Sequence, residues 1–292
     1  LICKDEFGEL GYYNIKLNAG EYTDDTIRTI ALAESLIYCK EINLEDIAQR
    51  QLAEYTKRLR KDGTVKGGFG GTTIAGFKNL LAGKTYTESG VIGGPGNAPG
   101  MMMHPMGLYI HATGEIDSGL DAAEVIGRMT HLDPRSLVSG IVQAHAIYGI
   151  LNGNDRKDFL LAAESICRRF EKPVTAEFSL AEQGSLLERL EWIVQHKDVS
   201  AQEAHQYLGS GSKVYCSYPF ALFMMQKYWD DPVNGLIETV NYGGDCDTTG
   251  AIFGALAGAR HGLSWPKEWM EKVQDAKKLK ALGKGLYQMK EP

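Results

Sequence analysis

Apolar side chains recur every three or four residues through most of the chain, which is the spacing of amphipathic helices. This spacing predicts helices at residues 27–38, 44–60, 134–150, 157–170, 184–197, 219–229, 233–241 and 248–261. Asn43 is a typical N-cap for the second helix, and Ser200 with Glu203 forms a capping-box pattern that predicts a further helix start. Alternation of period two is scarce. The sequence therefore predicts an all-α fold, a single compact multi-helix domain spanning residues 1–292.

Composition narrows the function classes. The 292 residues are 43% hydrophobic and 23% charged, as in ordinary globular proteins, and the net charge of −6 argues against a nucleic-acid partner. Five scattered cysteines without a CxxC pair favour a reducing compartment, so we expect a cytoplasmic protein. No apolar run reaches the ~18 residues of a membrane span, so no membrane partner is expected. Because the sequence begins at Leu1, we expect that a leading segment is absent from it.

Two short acidic motifs stand at predicted helix starts near opposite ends of the chain. They read Thr23-Asp24-Asp25-Thr26, shortly after Gly20, and Gly243-Gly244-Asp245-Cys246-Asp247-Thr248. A single Asp or Thr at such a position is most simply an N-cap. Two aspartates in each motif exceed what capping requires, and the glycine pair allows close approach of the backbone.

The donor atoms of the two motifs suggest a cation site. Four carboxylates brought together would repel one another unless a cation lay between them. Their hard oxygen atoms suit Mg²⁺ or Mn²⁺, with Ca²⁺ a weaker candidate, and argue against zinc. Four carboxylates balance two divalent ions, so we expect two Mg²⁺ or Mn²⁺ ions. The expected metal ligands are Thr23, Asp24, Asp25, Asp245, Asp247 and Thr248.

The acidic motifs resemble those of the ADP-ribosylglycohydrolase family. The likeness extends to Gly68-Phe69-Gly70-Gly71-Thr72-Thr73 and to the segment from Gly96-Asn97 to Met101, and it runs from about residue 6 to residue 262. It implies an all-helical fold, a dinuclear Mg²⁺ or Mn²⁺ centre held by the same six ligands, and removal of ADP-ribose from a modified protein or small molecule. The acceptor group, whether arginine, serine or another, stays open.

The chain departs from the family pattern in two places. Most of the family's first, small-residue helix is missing, and Glu6-Phe7 matches its trailing residues. Glu6 is therefore the candidate for the family's glutamate near the scissile ribose, with a solvated surface glutamate as the alternative. The family's GNGxAMR loop reads Asn97-Ala98-Pro99-Gly100-Met101-Met102 here, so Met102 replaces an arginine and Pro99 removes a backbone donor.

The same resemblance implies the substrate contacts. The expected substrate-binding residues are Phe69, Gly70, Gly94, Gly96, Asn97, Gly100 and His131. Phe69 would pack on a ribose or base, amides of residues 93–100 would hold the diphosphate, and His131 would face ADP-ribose. A helix-joining turn explains the first glycine cluster almost as well, and a lone histidine is more often structural. Gly250, Gly254 and Gly258, at a spacing of four, predict tight helix packing.

Hydrolysis at ribose C1 passes through an oxocarbenium-like state that needs a positioned water. The candidate catalytic residues are Asp25, Asp24 and Glu6, with Asp25 the most plausible group to orient or deprotonate that water; coupled carboxylates leave these roles open. Two alternatives remain. One is a hydrolase of another nucleotide sugar or small N-glycoside, and the other is a non-catalytic ADP-ribose-binding relative.

Overall fold

The structure, a computed structural model, describes residues 17–290. Over these residues the chain forms fifteen α-helices, a short 3-10 turn at Ala181–Gln183 and three isolated β-bridges, without a sheet. The helices are α1 (Asp24–Cys39), α2 (Leu44–Arg58), α3 (Gly71–Leu81), α4 (Ala98–Met102), α5 (His104–Thr113), α6 (Ile116–Arg128), α7 (Pro134–Leu151), α8 (Arg156–Phe170), α9 (Leu186–Gln195), α10 (Ala201–Leu208), α11 (Val214–Lys227), α12 (Pro232–Asn241), α13 (Cys246–His261), α14 (Lys267–Lys272) and α15 (Ala276–Gln288). The predicted all-α class is confirmed.

Helix α7 forms the centre of the fold. Fifteen of its residues, from Pro134 to Ile150, are buried, so the helix is enclosed on every side rather than along one stripe. It packs against α4, α5, α6, α8 and α13. The main hydrophobic core surrounds it and takes in Met101, Met102, Met103 and Met106, each at most 3% exposed. The helices that begin at the two acidic motifs, α1 and α13, pack against each other beside this core.

Local capping explains where several predicted helices begin. The Asn43 side chain accepts a hydrogen bond from the Asp46 N–H at 2.9 Å, which confirms the predicted cap of α2. Ser200 and Glu203 form both hydrogen bonds of the predicted capping box at the start of α10. These contacts are local in sequence, and for this reason the sequence alone could predict them.

The structure adds helices α3, α5, α6, α14 and α15 to the predicted ones, and two further segments, both containing proline, differ from the predictions. Residues 98–102, where the family resemblance implies a loop, form the helical turn α4, with Pro99 in its first turn where a missing N–H costs little. Helix α11 begins at Val214, five residues before the predicted start at 219, and contains Pro219 in its interior. Burial of the flanking Tyr218 and Phe220, both 0% exposed, offsets the hydrogen bond that a proline cannot donate.

A smaller apolar cluster joins α1, α2 and α3. Tyr55, Phe69 and Phe77 pack ring against ring, with centroids 5.0 to 6.2 Å apart, and Ile27 completes the cluster. A Cβ added to Gly76 would lie 2.6 Å from Thr130 Cα, so α3 can approach the end of α6 only because residue 76 is glycine. This packing fixes the glycine-rich segment before α3 against the first acidic motif.

The described cysteines, Cys39, Cys167, Cys216 and Cys246, form no disulfide. Within residues 17–290, no helix has both the length and the apolarity needed to cross a bilayer.

Candidate functional site

The first acidic motif is buried at the start of α1. Thr23, Asp24 and Asp25 are 7%, 5% and 4% exposed. Thr23 occupies the N-cap position, but its side chain makes no capping hydrogen bond. Its hydroxyl instead donates to Asp25 Oδ2 at 2.9 Å. The Asp24 N–H donates to the carbonyl of Gly67 at 2.7 Å, which ties the motif to the glycine-rich segment before α3.

The second acidic motif stands at the start of α13 and is more open to solvent. Asp245 is partly buried, Asp247 is exposed and Thr248 is 2% exposed. Asp245 is the N-cap residue and also makes no capping hydrogen bond. Gly244 has φ +66°, and a Cβ there would lie 2.5 Å from the Ser210 carbonyl oxygen. Only glycine permits this approach, which lets the Asp245 N–H donate to the same carbonyl at 2.7 Å.

The two motifs meet in one cluster, although they lie more than 200 positions apart in the sequence. Helices α1 and α13, which carry the two motifs, pack against each other. Burial, and then the nearby charges of Asp247 and Asp24, raise the pKa of Asp25 well above its usual range. Burial raises the pKa of Asp24 to about 7, aided by Asp247 and Asp245 and opposed by Arg28. The charges of the two motifs therefore act on one another.

Asp245 is also held from a third element. The Asn97 amide donates to Asp245 Oδ2 at 2.6 Å and to Ser217 Oγ at 3.0 Å, which links the start of α4 to α11 and α13. Burial, and then the charge of Asp247, raise the pKa of Asp245 well above its usual range, while the hydrogen bond from Asn97 lowers it. Asn97 therefore orients a predicted metal ligand, in addition to lying at the predicted substrate loop.

The donor set fits a hard cation. Asp25 Oδ1 is buried and has no hydrogen-bond partner, an arrangement that leaves a costly unpaired acceptor unless something binds it. No three Asp, Glu, His or Cys side chains of the described residues are placed to hold one metal ion. An ion here would therefore take ligands from the Thr23 and Thr248 hydroxyls and from water, as well as from the carboxylates.

Arg28 is a residue of the site that the sequence motifs did not indicate. Its side chain is 1% exposed and lies on α1 one helical turn after Asp24. Gln51 of α2 accepts from Arg28 Nε at 3.1 Å and also contacts Met102 Sδ at 3.9 Å. The family's arginine at position 102 is replaced by methionine in this chain. Arg28 of α1 and Met102 both contact Gln51. Only the packing of α1 against α2 and α4 reveals this.

The glycine-rich segments meet beside the acidic cluster. The Thr72 hydroxyl donates to the Gly94 carbonyl at 3.4 Å, so the start of α3 adjoins residues 93–96. The Val214 N–H donates to the Pro95 carbonyl at 2.8 Å. This bond brings Lys213 Nζ to 3.4 Å from the position of a Cβ on Gly94. Lys213 belongs to no motif, and nothing in the sequence indicated its place at the glycine segment.

His131 lies against the same segment. It is 2% exposed, its Nδ1 lies 2.9 Å from Thr130 Oγ1, and a Cβ on Gly96 would lie 2.8 Å from its Nε2. Burial, reinforced by the charge of Arg28, lowers the pKa of His131 to about 3. The imidazole is therefore neutral at neutral pH.

The remaining predicted substrate residues occupy different surroundings. Gly70 is exposed at the start of α3, with open space where a side chain would be. Phe69 is 8% exposed, and its ring packs against the rings of Tyr55 and Phe77 rather than facing a ligand. Gly100 is buried, and a Cβ there would lie 2.9 Å from Ser139 Oγ, so helix packing requires this glycine. Glu6 lies outside the described residues.

A cavity of about 260 Å³ adjoins Asp25 between α1 and α13. Its lining includes Thr26 and Thr29 of α1, His104, and Gly254 of α13. Gly254 and Gly258 have open space at their Cβ positions, whereas Gly250 meets Val240 at 2.9 Å. The prediction of tight packing at all three glycines is therefore wrong for Gly254 and Gly258. At Gly254 the absent side chain leaves room beside Asp25.

The fold and the site define a helical protein with an oxygen-rich acidic cluster where two neighbouring helices begin. The family model for ADP-ribosylglycohydrolase matches residues 2–292, and the chain belongs to that family.

Similar proteins agree with this assignment. An uncharacterized protein of Archaeoglobus fulgidus is 28% identical, over 94% of this chain and 82% of its own. ADP-ribosylhydrolase ARH3 of Mus musculus is 25% identical, over 92% and 77% of the two chains. ADP-ribosyl-[dinitrogen reductase] glycohydrolase of Rhodospirillum rubrum is 26% identical, over 89% and 76%. A solved structure of an ADP-ribosylglycohydrolase-related protein complex has the same fold, with TM-score 0.65 and 24% identity over 99% of this chain and 90% of that one.

Proposed function

We propose that this protein cleaves the glycosidic bond at C1 of an ADP-ribose attached to an acceptor, with two Mg²⁺ or Mn²⁺ ions as cofactors. The observation that carries the proposal is that the two acidic motifs lie together where α1 packs against α13, with their carboxylates near enough for each charge to act on the others. Family membership and the two relatives named for ADP-ribosyl hydrolysis support ADP-ribose as the substrate group. The buried, partnerless Asp25 Oδ1 supports a cation at the cluster.

The six proposed ligands are Thr23, Asp24, Asp25, Asp245, Asp247 and Thr248. Divalent ions bound there would supply Lewis-acid chemistry, lowering the pKa of a water and binding sugar hydroxyls. Asp25 is the proposed group that orients the attacking water, because Thr23 occupies its Oδ2 and leaves Oδ1 without a partner. Asp247 is exposed and stands at the solvent side of the cluster, where substrate would enter.

The diphosphate is proposed to bind at residues 93–96. Gly94 and Gly96 carry no side chains to block the backbone, and Lys213 supplies a positive charge next to Gly94. The protein is acidic overall, so an anionic ligand must be held by such local groups rather than by the net field. The neutral His131 imidazole, beside Gly96, is available as a hydrogen-bonding group for the ligand.

Release of ADP-ribose from peptides modified on arginine or on serine tests the function, with Mg²⁺, with Mn²⁺ and with a chelator. We expect release from at least one acceptor, its loss in the chelator, and its loss in Asp25→Asn. Asp121→Asn, a change at an exposed aspartate of α6, is the matched control and should retain activity. Full turnover in the presence of the chelator would contradict the proposed dependence on Mg²⁺ or Mn²⁺. Hydrolysis of another nucleotide sugar or small N-glycoside, without ADP-ribose release, would favour the alternative hydrolase that Met102 suggests.

A further inference from the structure

Arg28 is held rigidly in a place where water cannot reach it. Its side chain is 1% exposed, and its guanidinium lies 5.5 Å from the centroid of the Phe77 ring. Gln51 makes two hydrogen bonds with Arg28: it accepts from Nε at 3.1 Å and donates to the Arg28 carbonyl at 2.9 Å. Three elements, α1, α2 and α3, therefore fix the position of this one charge.

The arginine has no partner that would explain its burial by itself. Nη1 is buried and makes no hydrogen bond. Gln51 is neutral and Phe77 is apolar, and removing a guanidinium from water is costly unless a negative charge lies nearby. The negative charges next to it are Asp24, one helical turn earlier on the same face of α1, and Asp25. Its interactions with both aspartates are favourable.

We propose that Arg28 is a built-in counter-charge for the acidic cluster, a positioning residue that keeps the cluster assembled when no cation is bound. Asp24 and Asp25 are each at most 5% exposed, so water screens their mutual repulsion poorly. A fixed positive charge one turn away offsets part of that repulsion. The second half of the test below rests on the cation site of the proposed function, whereas the first half does not.

The first half is a double-mutant cycle in a chelator, between Arg28→Met and Asp24→Asn. Methionine keeps the straight stem against Phe77 and removes the charge. We expect Arg28→Met to lower the melting temperature by about 5 °C or more. The double variant should recover much of that loss, because the unpaired carboxylate is then gone. Additive losses in the cycle would overturn the proposal, whatever the protein proves to hydrolyse.

The second half is the response of the melting temperature to Mg²⁺. Arg28→Met should gain more stability from Mg²⁺ than the wild type does, since the ion replaces the missing charge and meets less repulsion. Arg28→Lys is the matched control, because it disturbs the Gln51 contact but keeps the charge, and its Mg²⁺ gain should stay near that of the wild type. Equal Mg²⁺ gains in Met and Lys variants would overturn the proposal. A wild type that gains nothing from Mg²⁺ or Mn²⁺ would refute the cation site, and the cycle would still decide the role of Arg28.

Discussion

At the scale of single residues, the two N-cap side chains of the site hydrogen-bond other side chains instead of capping their own helices. Thr23 and Asp245 both occupy N-cap positions without capping hydrogen bonds. Thr23 donates to Asp25, and Asp245 accepts from Asn97. A cap usually contributes about 1 kcal/mol to stability. Here that contribution is given up in favour of contacts that orient carboxylates.

The buried His131 should make the protein sensitive to acid. Its pKa, lowered by burial to about 3, lies below the ordinary value of 6.5. The unfolded state therefore binds more protons between these values, so the stability due to the neutral imidazole is complete above pH 6.5 and is lost as pH falls toward 3. The difference in unfolding free energy between wild type and His131→Gln should shrink steadily from pH 7 to pH 4 in urea titrations. His196→Gln, at the end of α9, is the control. A constant difference for His131→Gln would contradict the buried neutral state.

Lys213 should contribute to ligand affinity through its charge. If the diphosphate binds at residues 93–96, Lys213→Met should weaken ADP-ribose binding by about tenfold, measured by calorimetry. Lys213→Arg should retain most of the affinity, and added salt should narrow the difference between wild type and the Met variant. Binding of adenosine, which lacks phosphate, should not change. An equal loss for adenosine and ADP-ribose would place the diphosphate elsewhere.

At the scale of whole helices, glycines set how closely some pairs approach and leave other pairs apart. A Cβ on Gly107 of α5 would lie 2.5 Å from the Ala144 carbonyl oxygen of α7, a distance that atoms do not tolerate. Gly258 of α13 has no neighbour within 4 Å of its Cβ position. Spacing in the sequence cannot separate these cases, because the distinction depends on which helix lies opposite.

Alanine substitutions at these two glycines should therefore change stability in opposite directions. Gly107→Ala should destabilise the protein by about 1–3 kcal/mol, because the α5–α7 contact must open. Gly258→Ala should stabilise it by up to about 1 kcal/mol, since alanine is the better helix former and space is available. Unfolding in urea measures both variants under identical conditions. A clear loss of stability in Gly258→Ala would restore the original prediction of tight packing around α13.

At the scale of the whole molecule, one site depends on elements from both ends of the chain. Asp25 lies in the first turn of α1 and Asp247 in the first turn of α13, while Asn97 reaches the cluster from the start of α4. Helix α7 packs against both α4 and α13, and α1 also packs against both of them. The site therefore exists only in the complete fold.

This dependence predicts strongly non-additive effects on catalysis. Asp25→Asn and Asp247→Asn should each remove most activity, and the double variant should lose little more than either single one. Mg²⁺ should also raise the melting temperature of each single variant markedly less than that of the wild type. Turnover and melting curves on the same preparations check both expectations. If the two losses in turnover multiplied in the double variant, and the effect of Mg²⁺ on melting temperature were unchanged, the two motifs would not form one centre.

Much of the fold followed from local physical chemistry and was visible in the sequence. The cap at Asn43 and the capping box at Ser200 involve residues three positions apart, so they could be predicted without a structure. Helices α3, α4 and α5 were not predicted, because glycines, prolines and methionines there weaken the periodic signal, and tertiary packing overrides weak propensity. Pro219 gave a late helix start for the same reason. Helix α6 was also missed, although its apolar residues follow the helical spacing, as were α14 and α15 beyond residue 261.

The sequence by itself determined the all-α class, the family resemblance and the two oxygen-rich motifs, since each is written in residue type and short-range spacing. Only the tertiary structure decided what surrounds those motifs. It placed Arg28 beside Gln51, which also contacts Met102. It brought Lys213 to Gly94 and packed the Phe69 ring into a hydrophobic cluster. Such contacts join residues that are distant in the chain. They depend on how the helices pack against one another, which no local pattern encodes.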